Sequence, residues 1–145
     1  MPQISNNTAF SQAWLKIKTI LNSVSDPHGK TKYSYGAFPI LLIDKRESYP
    51  LLVIEPVDIS HSALTFTNLK EGPLKATIEV YATNTTDLDS VSDDVAKTMH
   101  AADASFTLSG ITNMKLVNSS YAHYPRENLH IHNRTFIYEF TYGWF

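Results

Sequence analysis

Leu74-Lys75-Ala76-Thr77-Ile78-Glu79-Val80-Tyr81-Ala82 is the stretch whose reading decides the fold. Leu74, Ala76, Ile78, Val80 and Ala82 are apolar, and Lys75, Thr77, Glu79 and Tyr81 fall between them. A period of two belongs to a strand, because successive side chains leave a strand on opposite faces. One face is therefore expected in a core, and the other is wet or covered by a partner. Glu71-Gly72-Pro73 turns the chain just before it.

On the C-terminal side the period changes. Leu88, Val91, Val95, Met99 and Ala102 form one helical stripe over about Asp87 to Ala102. Thr86-x-x-Asp89 resembles a capping box, and Asp87 and Asp89 suit the positive end of a helix. Ser105 to Gly110 reads as a loop. A long hairpin is expected beyond it, with arms of about Asn113 to Tyr124 and Leu129 to Tyr142 and a turn at Pro125-Arg126-Glu127-Asn128. On the return arm Phe136, Tyr138, Phe140, Tyr142 and Trp144 share a face.

On the N-terminal side, Phe10, Trp14, Ile17, Leu21 and Val24 follow a 4-3-4-3 spacing and predict a helix, capped by Ser5 or Thr8 and stopped by Pro27 and Gly29. Between the helices, Lys32 to Tyr35, Pro39 to Ile43, Leu51 to Ile54 and Ala63 to Thr67 read as strands. The fold class is α+β in a single domain, 1–145: an antiparallel sheet with two packed helices and long hairpins, in the order α-β-β-β-β-α-β-β.

Composition bounds the function. The chain has 145 residues and a formal net charge of −2, and only 18% of its residues are charged. A nucleic-acid binder that grips phosphates needs a basic face. A surface poor in charge suits one that partners cover. With no cysteine there is neither a disulfide nor a thiolate metal site. The N-terminal residues have no basic and apolar signal-peptide pattern, and the apolar run Ile40 to Ile43 is far too short to span a bilayer, so no membrane association is expected.

Sites of chemistry are few. His130 and His132 lie two apart on one strand, with His123 on the opposing arm, so three imidazoles could converge on zinc. A His-x-His pair near a turn is also an ordinary polar strand end, and no carboxylate sits at ligand spacing. There is no nucleophile elbow and no glycine-rich phosphate loop. The aromatic return strand could stack bases, but only Arg134 supplies a nearby cation and Glu139 opposes it. Neither an enzyme activity nor a cofactor is expected.

Four features carry a resemblance. They are the N-terminal helix with Trp14; Tyr49-Pro50-Leu51-Leu52-Val53-Ile54-Glu55-Pro56; Ala76-Thr77-Ile78-Glu79-Val80-Tyr81 running into the helix Asp87 to Ala102; and the closing Arg134-Thr135-Phe136-Ile137-Tyr138-Glu139-Phe140. In this order the chain resembles the tail-terminator, tail-completion and head–tail joining proteins of tailed viruses. The segment Asp44 to Gly72 departs as a longer arm than compact members have.

The resemblance implies a structural virion protein made in the host cytoplasm, a homo-oligomeric ring of commonly six subunits. Such a ring caps the tail tube or joins the neck, and DNA passes through its lumen without specific binding. It brings no catalytic residues. Subunit contacts are expected at Tyr33, Tyr35, Tyr49, Phe66 and Tyr81, at Arg46, Arg126 and Arg134, and more broadly along Asp44–Gly72 and the Pro125–Asn128 turn. The alternatives are a small metal-dependent enzyme using His123, His130 and His132, and a binding module that recruits a partner through a sheet edge.

Overall fold

The computed structural model describes residues 9–30, 33–59, 62–63, 70–108 and 111–144. Its elements are α1 (Ala9–Leu21), β1 (Ser34–Tyr35), two 3-10 turns (Ile40–Leu42 and Arg46–Ser48), β2 (Leu51–Ile54), β3 (Asp58–Ile59), β4 (Ser62–Ala63) and β5 (Lys70–Ala82), followed by α2 (Thr85–Ala101), α3 (Asp103–Leu108), β6 (Ile111–Arg126) and β7 (Leu129–Trp144). The fold is α+β. The alternating stretch lies in β5, the central strand of the order β1-β2-β5-β7-β6, with β3 and β4 continuing the β2 edge along β5.

Register shows how the two faces are used. β5 and β7 are antiparallel, and Ile78 opposes Phe136, Ala76 opposes Tyr138 and Leu74 opposes Phe140. Opposed residues share a face. This face meets the helices: Leu74, Ala76, Ile78, Val80, Phe136, Tyr138 and Phe140 form one core with Ile17 and Leu21 of α1 and Leu88, Val91, Val95 and Met99 of α2. The apolar stripes read from the sequence are therefore the packing stripes. The Phe10 side chain and those of Tyr142 and Trp144 lie outside the described residues. Trp14 also anchors α1 to the sheet, its indole Nε1 donating to the Ile54 carbonyl at 2.8 Å.

The other face is covered at one end by the segment between β1 and β2. Tyr49, Leu51, Leu129 and Ile131 form a second small core there, with Tyr35, Phe38, Ile43 and Tyr81 against it. Residues 36–50 thus act as a flap over the outer end of the β6–β7 hairpin. The connection spans two parallel strands, since β1 pairs with β2 in parallel, with Ser34 opposite Leu52. The sheet is not wholly antiparallel as expected.

Three more expectations need correction. Pro39 to Ile43 is a 3-10 turn rather than a strand, and it leaves Ile40 and Leu41 exposed at 66% and 88%. Periodicity cannot separate a short apolar run in a strand from one in a turn. Ser105 to Gly110 is not simply a loop: α3 reaches Leu108 and fully buries Phe106, whose ring lies 5.0 Å from that of Phe140. A six-residue helix is held by such packing rather than by its own propensity. The α2 cap is Asn84, whose side chain accepts from the Asp87 amide at 2.7 Å, and not Thr86. Of the expected strand Ala63 to Thr67, residues 64–67 lie outside the described residues. Among the described residues no helix is long and apolar enough to cross a membrane.

The turn after α1 is held by Asp26, whose side chain is 2% exposed. Its carboxylate accepts from the His28 and Lys30 amides, each at 2.9 Å, and from the Lys30 ammonium. Burial by itself would raise its pKa. The bonds from Lys30 and from the two amides outweigh burial and hold the group below the usual carboxylate range. A depressed carboxylate stabilises the fold above its unfolded pKa, and that contribution is lost as pH falls through the folded value. Asp26→Asn is therefore expected to lose about 1–3 kcal/mol at neutral pH, with the gap from wild type closing below about pH 4, in urea denaturation across a pH series. Ile78→Ala, at a fully buried central position, is expected to cost about 2–5 kcal/mol in the same assay.

Candidate interaction surface

The β6–β7 hairpin dominates the molecule's outer edge. Its arms run over Ile111–Arg126 and Leu129–Trp144, joined by the two residues Glu127 and Asn128. Two register shifts interrupt β6, between Thr112 and Lys115 and between Leu116 and Asn118. Asn113 lies in the first with φ 54°, a left-handed conformation that Asn tolerates better than most residues. Val117 is the extra residue of the second. The bulges break the simple in–out alternation of β6, and Leu116 and Val117 are exposed at 48% and 56%.

The turn end of the hairpin differs on its two faces. On the helix-side face, His123 lies opposite His132, and Tyr121 opposite Arg134. The rings form a row. His132 stacks on His123 at 4.8 Å with 9° between planes, and His123 stacks on His130 at 5.2 Å. His123 Nε2 and His130 Nδ1 share a hydrogen bond of 3.0 Å, and the Tyr121 hydroxyl meets His132 Nδ1 at 2.7 Å. Partial burial, then the neighbouring His123 and His130, lower the His132 pKa. The expected convergence of three histidines is thus real in space, but the rings stack in parallel. Among the described residues no group of three His, Cys, Asp or Glu is arranged to hold a metal ion.

On the opposite face, Leu129 and Ile131 are buried under the flap. Arg126 donates from Nε and Nη2 to Asp44 at 2.6 and 3.2 Å, and Arg46 Nη2 reaches the Asn128 carbonyl at 3.3 Å. A polar cleft of about 690 Å³ lies along these residues. Beside it is a smaller apolar hollow of about 250 Å³, lined by Phe38, Ile43, Tyr81, Tyr124 and Ile131, with Arg126 at its rim.

The expected contact residues divide by location. Tyr33 and Tyr49 are corrected: at 9% and 4% exposed they are core residues of this chain, because their rings fill the two clusters. Burial raises the Tyr33 phenol, with Asp26, Asp94 and Asp87 adding to the effect. Tyr49 donates to the Ile43 carbonyl at 2.8 Å, and burial pushes its phenol up to about 12. Tyr35 and Tyr81 are half-buried rather than exposed, and Tyr81 meets Phe38 edge-on at 4.7 Å and donates to Glu79 at 2.7 Å. Arg46 and Arg126 are exposed but staple the flap to the hairpin. Arg134 pairs with Asp89 of α2 at 3.2 Å. Phe66 lies outside the described residues.

Among the described residues, the exposed large apolar groups that sequence reasoning missed are Leu15, Ile40, Leu41, Leu116, Val117, Tyr121 and Tyr124. A signal for Leu116 and Val117 was present, since two adjacent aliphatics inside an alternating arm cannot both face one core. No protein-family model matches the chain, and no curated protein matches it.

Tyr49→Phe removes only the bond to Ile43 and keeps the ring. It is expected to cost about 0.5–1.5 kcal/mol in urea denaturation, without change in the far-ultraviolet circular dichroism.

Proposed function

We propose that this chain is a structural subunit that assembles with copies of itself into a closed ring, at the tail end or head–tail junction of a tailed virus particle. One observation carries the assembly reading. The sixteen residues of β6 form a sheet edge whose outer side, among the described residues, pairs with nothing. Monomeric proteins blunt such edges with charge, proline or cover. Here Lys115 and Arg126 are the only charged residues in β6, and its one proline, Pro125, stands next to the turn. Leu116, Val117, Tyr121 and Tyr124 are each about half exposed along it.

A ring grows through heterologous contacts, in which one surface meets a different surface of the next subunit. Among the described residues the opposite sheet edge carries the two-residue strands β1, β3 and β4, so the two edges differ as such a contact requires. The exposed Ile40 and Leu41 offer a second apolar contact. The placement in a virus particle rests on the sequence resemblance. A net charge of −2 supports a lumen that DNA crosses without being held, since few phosphates would find partners. The same free edge would also serve a module that takes up one extended strand from a partner.

Native mass spectrometry across a concentration series is the test. A discrete closed oligomer near six subunits is expected, and Leu116→Lys with Val117→Lys is expected to shift it to monomer while leaving the circular dichroism unchanged. A strict monomer that also fails to bind tail-tube or neck proteins would overturn the ring. A monomer that binds a single extended peptide along β6 would favour the recruiting module.

A further inference from the structure

We infer that the row Tyr121–His132–His123–His130 is a proton-sensitive clasp, which keeps the turn end of the hairpin closed at neutral pH and loosens it under mild acid. The inference stands apart from the ring reading.

The geometry supplies the mechanism. The His123–His130 bond joins two ring nitrogens 3.0 Å apart. One must carry a proton and the other a lone pair, so the bond survives with both rings neutral or with one charged. When both are imidazolium, every ring nitrogen carries a proton, and two N–H groups would face each other across that distance. The bond is then lost. The parallel stack of His123 on His132 at 4.8 Å becomes a second like-charge contact when those rings are both charged.

The surroundings offer little compensation. On β7 the next residue of the same face is Arg134, already a cation. From α2 the facing charge is Asp89, which is 64% exposed and already paired with Arg134. From β6 the facing titratable group is Tyr121, whose hydroxyl lies 2.7 Å from His132 Nδ1. Glu127 stands in the exposed turn, and the Arg126–Asp44 pair clamps the opposite face. A proton added to the row therefore adds to the Arg134 charge on the same face, whose partner Asp89 is already engaged.

The sign follows from the direction at His132. Its pKa is lowered in the fold, so the fold binds protons there less readily than the unfolded chain. Its contribution to stability is complete above the unfolded value, about pH 6.5, and is lost as pH falls through the folded value. Histidine is the side chain whose ordinary range spans this window.

The test uses the full chain. A carbon-detected histidine titration by nuclear magnetic resonance, from about pH 8 to pH 5, is combined with amide-exchange protection factors for residues 121–134. The expected result is coupled, non-ideal titration across the row, with His132 protonating below its ordinary range and protection at the turn end falling about tenfold or more. His123→Asn with His130→Asn, both at exposed positions, should flatten that fall while leaving protection in β5 unchanged. Three independent titrations with constant protection would overturn the clasp, and so would an equal fall in the double variant. If the double variant does not fold, the wild-type titration and protection data decide alone.

Discussion

The ladder between β5 and β7 is the constraint on which the rest depends. All thirteen residues of β5 pair with β7, from Lys70 opposite Trp144 to Ala82 opposite His132. Because side chains alternate, this register assigns each residue of both strands to a face. Slipping β7 by one residue against β5 would turn Phe136, Tyr138 and Phe140 away from the helices and bring Thr135, Ile137 and Glu139 towards the core. The helical layer over Phe136 and Tyr138 and the seat of α3 on Phe140 both presuppose this register.

The same ladder explains why the hairpin has two different ends. Near Phe136, Tyr138 and Phe140 the helix-side face lies under α2 and α3. Further along β7 the same face carries Arg134, which pairs with Asp89 of α2, and then the half-buried His132 and the exposed His130. On the other face the need for cover is reversed. Leu129 and Ile131 are apolar at the turn end, so the flap from Gly36 to Pro50 folds over them and is tied down by Arg46 and Arg126. Cover follows the apolar residues, switching face along one strand.

What remains uncovered is the edge. β6 has lost strict alternation through two bulges, and it carries little charge over a length that invites another strand. Bulges can protect an edge by twisting it. Here they also bring Leu116 and Val117 to the surface side by side. An edge of this kind is consistent with a chain whose other side is supplied by a neighbour. Its row of imidazoles lies at one end of the same surface, so charge on that row would be felt where a neighbour would dock.

Sequence by itself determined the elements whose side chains repeat. The period of two in Leu74 to Ala82 and the helical stripes from Trp14 to Leu21 and from Leu88 to Met99 specify strand, helices and core face, because burial of one face is a local demand written in the spacing. The nearness of His123 to His130 and His132 was legible for the same reason, since a hairpin pairs residues around its turn. The tertiary structure alone decided where short apolar groups go. Ile40 and Leu41 lie outside while Tyr33 and Tyr49 lie inside, and Phe106 makes a helix of an expected loop, because each depends on which distant surface stands opposite. Whether three histidines converge on a metal or stack as a ladder also rests on ring orientation, which neither spacing nor register specifies.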